Sequence, residues 1–352
     1  MRDVPSRVNI RDIARAADTS VSTVSRALND HPDVSAETRD RILQVASSLG
    51  YERNVLAHSL ISGRSGMIAV IFPDIDFDYM LQFLRGITHA VERLDRELLL
   101  AAKSTPEQVV SACWSMHRRG IADGAVIFAA PPEREADLLK LVAAGFSIVA
   151  FHPHHPLLGV TCVEPMDYEG GRLAVQHLLE LGHRRIGIIV EAPGRTAGRE
   201  RLRGYRDALV EAGICYDESL VAAVEPNQPL ASGRAAMRSW LEQGNQPSAV
   251  FCFNDPVAYG AIAELREWGL AVPEQVSVVG FDDIPASGYF GSGGLTTVRQ
   301  PITEMGELAL ETLLRLCDGE VAPGQVIRVP VELVVRGTTG PVRAAARTAV
   351  TP

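Results

Sequence analysis

Apolar positions recur with helical spacing through the first fifty residues. Ile10, Ile13, Ala14 and Ala17 fall at offsets 0, 3, 4 and 7, the inward stripe of one short helix. Asn9 precedes them as an N-cap whose side chain can accept from an unpaired N–H, and Asp12 stands at the third helical position, near the positive end of the dipole. This helix is predicted to end near Ala17. Ser20 is a second N-cap, and Val24, Ala27 and Leu28 form the stripe of a second short helix that runs out at Asn29-Asp30. Ser35 opens a third, with Ile42, Val45, Ala46 and Leu49 inward and Gly50 closing it. Two short helices joined by three or four residues make a helix-turn-helix, and three such helices can just bury a shared core.

From Met67 the period changes. Apolar, β-branched runs at 67–72, 98–102, 125–128, 148–151, 186–190, 250–253 and 276–281 alternate with helical patterns such as 83–94, 173–181 and 205–212. That alternation predicts parallel sheets with helices on both faces. The stretch is too long for one ordinary sheet, and a break in rhythm at 152–167 divides it into two lobes. Ligands of such sheets bind beyond the carboxyl ends of the strands, so the following loops should face one cleft. A TIM barrel is the rival arrangement of the same pattern.

Composition narrows the class. With 46% apolar and 22% charged residues the chain forms cores, which excludes fibrous, collagen-like and disordered readings. No apolar run approaches the ~20 residues of a membrane helix, and residues 1–9 lack the apolar core of a signal peptide, so a cytoplasmic protein is expected. Five cysteines, odd in number and far apart without a CxxC pair, indicate neither disulfides nor a thiolate metal site. The net charge of -9 is unevenly spread: residues 1–64 hold nine Arg and eight acidic residues, whereas the remainder carries -10.

The outward face of the second helix offers Val21, Ser22, Thr23, Ser25 and Arg26. Arg can bind guanine O6 and N7 bidentately, Val can meet a thymine methyl, and hydroxyls can hold phosphates, so this set suits a DNA major groove. A solvated Ser/Thr face is the bland alternative. In the body, Pro193-Gly194 and the glycine pairs match neither a Walker loop nor GxGxxG, and no GxSxG elbow or HExxH is present. No enzyme constellation can be assembled, and no cofactor is implied. His152, His154 and His155 could bind a divalent metal, but no carboxylate or Cys completes a set, so a Pro-rich surface turn is the reading kept and no metal is expected.

Residues 10–14 (Ile-Arg-Asp-Ile-Ala), 23–29 (Thr-Val-Ser-Arg-Ala-Leu-Asn), 34–39 (Val-Ser-Ala-Glu-Thr-Arg) and 49–51 (Leu-Gly-Tyr) together resemble the lactose-repressor (LacI/GalR) family of bacterial transcription regulators. The resemblance implies that Ser20 to Asn29 is a recognition helix, with Val21, Ser22 and Arg26 at base-reading positions and Thr23, Ser25, Asn29 and Thr38 at phosphate contacts. It also implies a homodimer on a near-palindromic operator. Residues 54–61, too short to be helical alone in water, match the family's hinge helix, with Leu60 at the minor-groove wedge and Ala57 beside it. A linker covering the body is the alternative, and Arg53 and His58 depart from the family pattern.

Further likeness runs through Leu84-Arg85-Gly86, Gly170-Gly171-Arg172, Leu181-Gly182-His183, Arg201 to Tyr205, Asn254-Asp255, Ser277 to Asp283 and Val335-Arg336-Gly337. It implies a body similar to periplasmic sugar-binding proteins rather than a barrel, with crossovers near residues 163, 295 and 327. Lobe one is then expected over 65–163 and 296–326, lobe two over 164–295 and 327–340, and 341–352 as a disordered tail. The implied effector site comprises Phe77, Tyr79, Met80, Arg201, Asn254, Asp282 and Gln300, a set suited to a sugar or sugar derivative. Asn254-Asp255 and Asp282-Asp283 could instead cap the next element. Phe77-Asp78-Tyr79-Met80 departs from the family's usual first loop. The implied function is a ligand-controlled repressor; a plain solute-binding protein is the alternative.

Overall fold

The structure, a computed structural model, describes residues 8–28, 31–51, 64–73, 78–94, 96–128, 130–153, 155, 157–191, 196–224, 228–289, 291 and 293–342. The chain divides into two compact units, Met1–Ser65 and Gly66–Pro352. The head holds helices α1 (Ile10–Ala16), α2 (Val21–Leu28) and α3 (Ala36–Ser48). Asn9 and Asp12 form a full capping box on α1, and the Ser20 hydroxyl accepts from the Thr23 N–H at 3.1 Å to cap α2. Between them Asp18 takes φ +47°, the left-handed turn that lets two helices meet in so few residues. Ile13, Val24 and Ile42 are fully buried and, with Ala14, Ala17, Ala27, Val34 and Ala46, make one small core. Leu49 does not join them. It caps α3 and stands 38% exposed, while the turn at Gly50 brings Tyr51 onto the core instead.

The body contains two six-stranded sheets. The first comprises β1 (Met67–Phe72), β2 (Glu97–Ala102), β3 (Gly124–Phe128), β4 (Ser147–Phe151), β5 (Thr161–Pro165) and β11 (Val326–Val329), in the order β11-β5-β4-β3-β1-β2. The second comprises β6 (Ile186–Glu191), β7 (Val221–Val224), β8 (Ala249–Cys252), β9 (Ser277–Asp282), β10 (Thr296–Arg299) and β12 (Glu332–Val334), in the order β12-β10-β9-β8-β6-β7. Among the described residues all strand pairings are parallel except β10 with β12. Strands β6 and β9 are buried along their whole length, as sheets covered on both faces require. In the first sheet Ala69, Ile71 and Ile127 face one apolar cluster while Ile68, Val70 and Val126 face another, the alternation of the pleat.

Sheet membership corrects the expected crossovers. Strand β10, which the resemblance put in lobe one, pairs with β9 in the second sheet, and β11 pairs with β5 in the first. The chain therefore changes lobes after Pro165, between Arg299 and Ile302, and between Val329 and Glu332, each a few residues later than expected. Apolar periodicity cannot place these exchanges, because β10 and β11 are four-residue strands set by their partners. Strands β5 and β7 were also absent from the sequence reading. The sequences Thr-Cys-Val-Glu-Pro and Val-Ala-Ala-Val carry too little bulk to stand out.

Helices α4 (Asp78–Arg93) and α11 (Ile302–Cys317) pack together on lobe one, α7 (Asp167–Glu180) on α8 (Thr196–Glu211), and α9 (Pro229–Glu242) on α10 (Asp255–Glu267). The α7–α8 contact matters for the site. A Cβ on Gly171 would lie 2.4 Å from the Arg201 carbonyl oxygen, and one on Gly204 would lie 2.2 Å from that of Tyr168. Only glycine allows the two backbones to approach so closely. Among the described residues no helix is long and apolar enough to cross a membrane.

Candidate functional site

Two regions carry chemistry, and they are built in opposite ways. In the head, the stripe that buries Val24 and Ala27 turns Val21, Ser22 and Arg26 outward, and all three are exposed. Thr23 and Ser25 lie half-buried at the edges of this face, while the Ser20 hydroxyl lies 2.7 Å from Ser22 Oγ and 2.8 Å from Thr23 Oγ1. Thr38 stands at the N-terminus of α3, its hydroxyl accepting from Ser35 Oγ at 2.9 Å. No carboxylate of the described residues pairs with Arg26, which leaves its planar donor fork available. Asn29, Ala57 and Leu60 lie outside the described residues.

In the body, six polar side chains close a circuit between the lobes. Tyr79, at the start of α4, donates to Gln300 Oε1 at 3.1 Å and lies 3.2 Å from His152 Nδ1. His152 Nε2 lies 3.2 Å from Asp167 Oδ2, and Asp167 Oδ1 accepts from Arg201 Nε at 2.8 Å. Arg201 Nη2 stands 3.9 Å from Asp282 Oδ1, which accepts from Gln300 Nε2 at 2.6 Å and so returns to Tyr79. Each member ends a strand or comes from the segment after its carboxyl end: β1, β4, β5, β6, β9 and β10 in turn. Parallel sheets aim those ends at one cleft, and Tyr79 and Arg201 follow the strands where the order of each sheet reverses.

Arg201 is held from every side. It is 2% exposed, its Nη1 donates to the Phe253 carbonyl, and its guanidinium lies 3.5 Å from the Phe281 ring centroid and 4.6 Å from that of Phe253. A Cβ on Gly170 would lie 2.6 Å from the Phe281 ring, so the Gly170-Gly171 pair clears room for both the backbone of Arg201 and the ring beneath its head group. On lobe one, Tyr79 lies 6.0 Å from Phe128 and 6.4 Å from Phe151 between ring centroids. The circuit thus has aromatic walls on both sides. His152 at φ +44° and Asp282 at φ +105° occupy backbone conformations costly for residues with a Cβ, strain of the kind that gathers at binding sites.

Electrostatics separates the two carboxylates. Burial would raise Asp167, but Arg201 and His152 outweigh it and hold this carboxyl below its ordinary value. Burial raises Asp282 well above the usual carboxylate range, with Asp255 and Asp167 adding to the rise and Arg201 opposing it. Tyr79 is raised by burial and by Asp282 and Asp167, which keeps the phenol a proton donor.

Several expectations are corrected. Met80 is 2% exposed and packs with Phe83 and Ile87 in the core of lobe one, because α4 turns 80, 83, 87 and 90 inward and 79 toward the cleft. Asn254 caps α10, its Oδ1 accepting from the Val257 N–H at 3.0 Å, so the capping alternative describes its carbonyl oxygen. Asp283 is set apart from its neighbour: it takes Arg299 and Arg336, each at 2.7 Å. His152 is no surface turn; its side chain is 16% exposed and joins the circuit. Phe77 and His154 lie outside the described residues, and no group of three metal-ligating side chains occurs among those described. Sequence reasoning missed His152 and Asp167 as site residues. Their one signal was position, at the carboxyl ends of two strands. An open groove of about 320 Å³ on α9, lined by Ala231, Arg234 and Arg238 among others, lies apart from the circuit, and its arginines are committed to Glu264 and Glu267.

Comparison with known proteins follows the same division. A family model described as bacterial regulatory proteins, lacI family, matches residues 9–54, and one described as a periplasmic binding protein-like domain matches residues 175–339. The HTH-type transcriptional regulator DegA of Bacillus subtilis is 33% identical over 338 residues, covering 95% of this chain and 99% of DegA. The HTH-type transcriptional regulator GalR of Escherichia coli is 32% identical over 315 residues, 89% of this chain and 90% of GalR. Among solved structures, the lac repressor dimer bound to operator and the anti-inducer ONPF matches with a TM-score of 0.82 at 27% identity, over 95% of this chain and all of that one. A regulator from Enterococcus faecium with bound ribose matches with a TM-score of 0.68 at 26% identity, over 79% of this chain and all of that one.

Proposed function

This chain belongs to the lacI family of bacterial regulatory proteins, and from that premise we propose that a carbohydrate or carbohydrate derivative bound at the interlobe circuit controls how tightly the head holds an operator. The protein is a sequence-specific DNA-binding transcriptional regulator. The observation that carries the ligand reading is the circuit itself, six side chains that join the two lobes through bonds a polyhydroxylated ligand can replace. The lac repressor dimer on operator and the ribose-bound relative support a homodimer on a near-palindromic site and a sugar as effector.

In this reading Val21, Ser22 and Arg26 touch bases, while Ser20, Thr23, Ser25, Asn29 and Thr38 hold phosphates and orient α2. Residues 54–61, with Ala57 and Leu60, fold against the minor groove when the two body lobes adopt one arrangement and not the other. Tyr79, Arg201, Asp282 and Gln300, joined by His152 and Asp167, contact the ligand. A ligand that prefers one arrangement 100-fold shifts the balance by about 2.7 kcal/mol, enough to change operator occupancy. The protein acts in the cytoplasm and turns over no substrate; conversion of a bound sugar by pure protein would contradict that. A solute-binding protein would have no use for the exposed face of α2.

Selection of bound fragments from random double-stranded DNA, at salt near 150 mM so that non-specific attraction is screened, tests the regulator reading. A recovered palindrome with a flexible central step is expected. No enrichment, with and without a sugar panel of glucose, galactose, ribose and cellobiose, would contradict it.

A further inference from the structure

Hydrogen-bond direction around the circuit limits the charges its members can carry. Arg201 and the protonated Tyr79 are donors, Asp167 accepts on both oxygens, and His152 must supply a proton to Asp167 Oδ2 from Nε2. With the Gln300 amide as placed, its NH2 donates to Asp282 and its oxygen takes the Tyr79 proton. Tyr79 must then accept from His152 Nδ1, so the imidazole carries both protons, and with Asp282 ionised the circuit is neutral. With that amide turned over, Asp282 donates to its oxygen, the NH2 faces Tyr79, and Tyr79 donates to a neutral His152. Both assignments hold the same number of protons. Both balance: two cations against two carboxylates in the first, Arg201 against Asp167 in the second. Burial of Asp282 favours the second.

Resting on the carbohydrate reading above, we infer that the cleft takes an uncharged, hydroxyl-rich ligand and rejects its phosphorylated or carboxylated counterparts. Among the described residues the circuit, in either assignment, has no surplus positive charge with which to compensate an ionised group taken out of water. Its single guanidinium already faces Asp167 at 2.8 Å and Asp282 at 3.9 Å, so an anion approaching Arg201 also approaches two acids. The bonds that a ligand must replace to enter between the lobes, Tyr79 with Gln300 and His152 with Asp167, leave a carboxylate oxygen that needs a donor beside N–H and O–H groups that need acceptors. A hydroxyl donates and accepts; a phosphate dianion only accepts. The rings of Phe128 and Phe253 suit the apolar face of a sugar ring and offer nothing to a phosphate.

The test uses the full chain and matched pairs. Calorimetric titrations with glucose and glucose 6-phosphate, galactose and galactose 1-phosphate, and ribose and ribose 5-phosphate compare each sugar with its own phosphate. Every sugar that binds is expected to bind at least about 30-fold more tightly than its phosphate. A phosphate that binds as tightly as its parent, or tighter, overturns the inference. Crystals soaked in sodium sulfate read the charge rule without any sugar: density at Arg201 overturns it, and a sulfate-free Arg201 upholds it. If no sugar of the panel binds, the carbohydrate reading loses its support while the sulfate result still decides the question of charge.

Discussion

The face of α2 and the interlobe circuit are opposites in how their polar groups are satisfied. On α2 the useful side chains are short, exposed and held by neighbours two or three residues away, as Ser20 with Ser22 and Thr23 shows. In the cleft the polar groups of the circuit are buried or half-buried and find partners across as many as 221 positions of sequence, as Tyr79 does with Gln300. A surface that must fit DNA keeps its donors open to water until the partner arrives. A cleft that must respond to a small molecule stores its donors in internal bonds, so that the ligand acts by exchange. Substitutions on α2 should therefore change recognition at almost no cost in stability, and substitutions in the circuit should change both.

The largest effect is expected from Arg201→Ala, which strands Asp167 and Asp282 in the interior and should cost the body about 4 kcal/mol, measured as denaturant unfolding of the body against that of the head. A loss below about 1 kcal/mol would mean that the circuit is not the buried network described. Ile13→Ala should come next, at about 3 kcal/mol, because it empties the centre of a core made by few residues. It should abolish DNA binding of every sequence while leaving sugar affinity unchanged. Arg26→Ala should cost about 2 kcal/mol in operator affinity and relax one base pair, with unfolding unaltered. Equal losses on cognate and scrambled DNA would remove Arg26 from the base-reading role. Asn9→Ala, which breaks the capping box, should destabilise the head alone by about 1 kcal/mol, seen in the thermal midpoint of its helical signal.

The smallest effect per unit of change is expected from pH. Asp255 is raised to about 7 by burial, against the three donors Ile284 N, Ser287 Oγ and Thr297 Oγ1. A carboxyl raised in the folded state adds stability that is fully present below its unfolded value near 4 and is lost as pH rises through about 7. The body's midpoint should accordingly fall across that window. Asp255→Asn should flatten the slope there, and an unchanged slope would show that this proton is not linked to folding.

The head was legible in the sequence because its signals are local. Caps, stripes and turn residues lie within four positions of what they act on, and only Leu49 misled, since the last helical turn lets the chain leave the core. The sheets were legible where strands are long and β-branched and illegible at β5, β7, β10, β11 and β12, where tertiary pairing alone makes the strand. In the cleft, Tyr79, Arg201, Asp282 and Gln300 came from family resemblance, not from any pattern along the chain. His152 sits beside Pro153 and reads as a turn; its left-handed backbone is a turn, but one that carries the imidazole into the circuit. Met80 was the avoidable miss, because its spacing with Phe83 and Ile87 already marks a core stripe.

The coupling between the two regions is tested most directly by one titration. The operator recovered by selection is bound by the full chain with and without a saturating concentration of the uncharged sugar that the body binds. A change of at least about 10-fold in operator affinity is expected, in either direction, and it should vanish in Gln300→Ala. Unchanged operator affinity at saturating sugar would contradict the claim that the circuit governs the head.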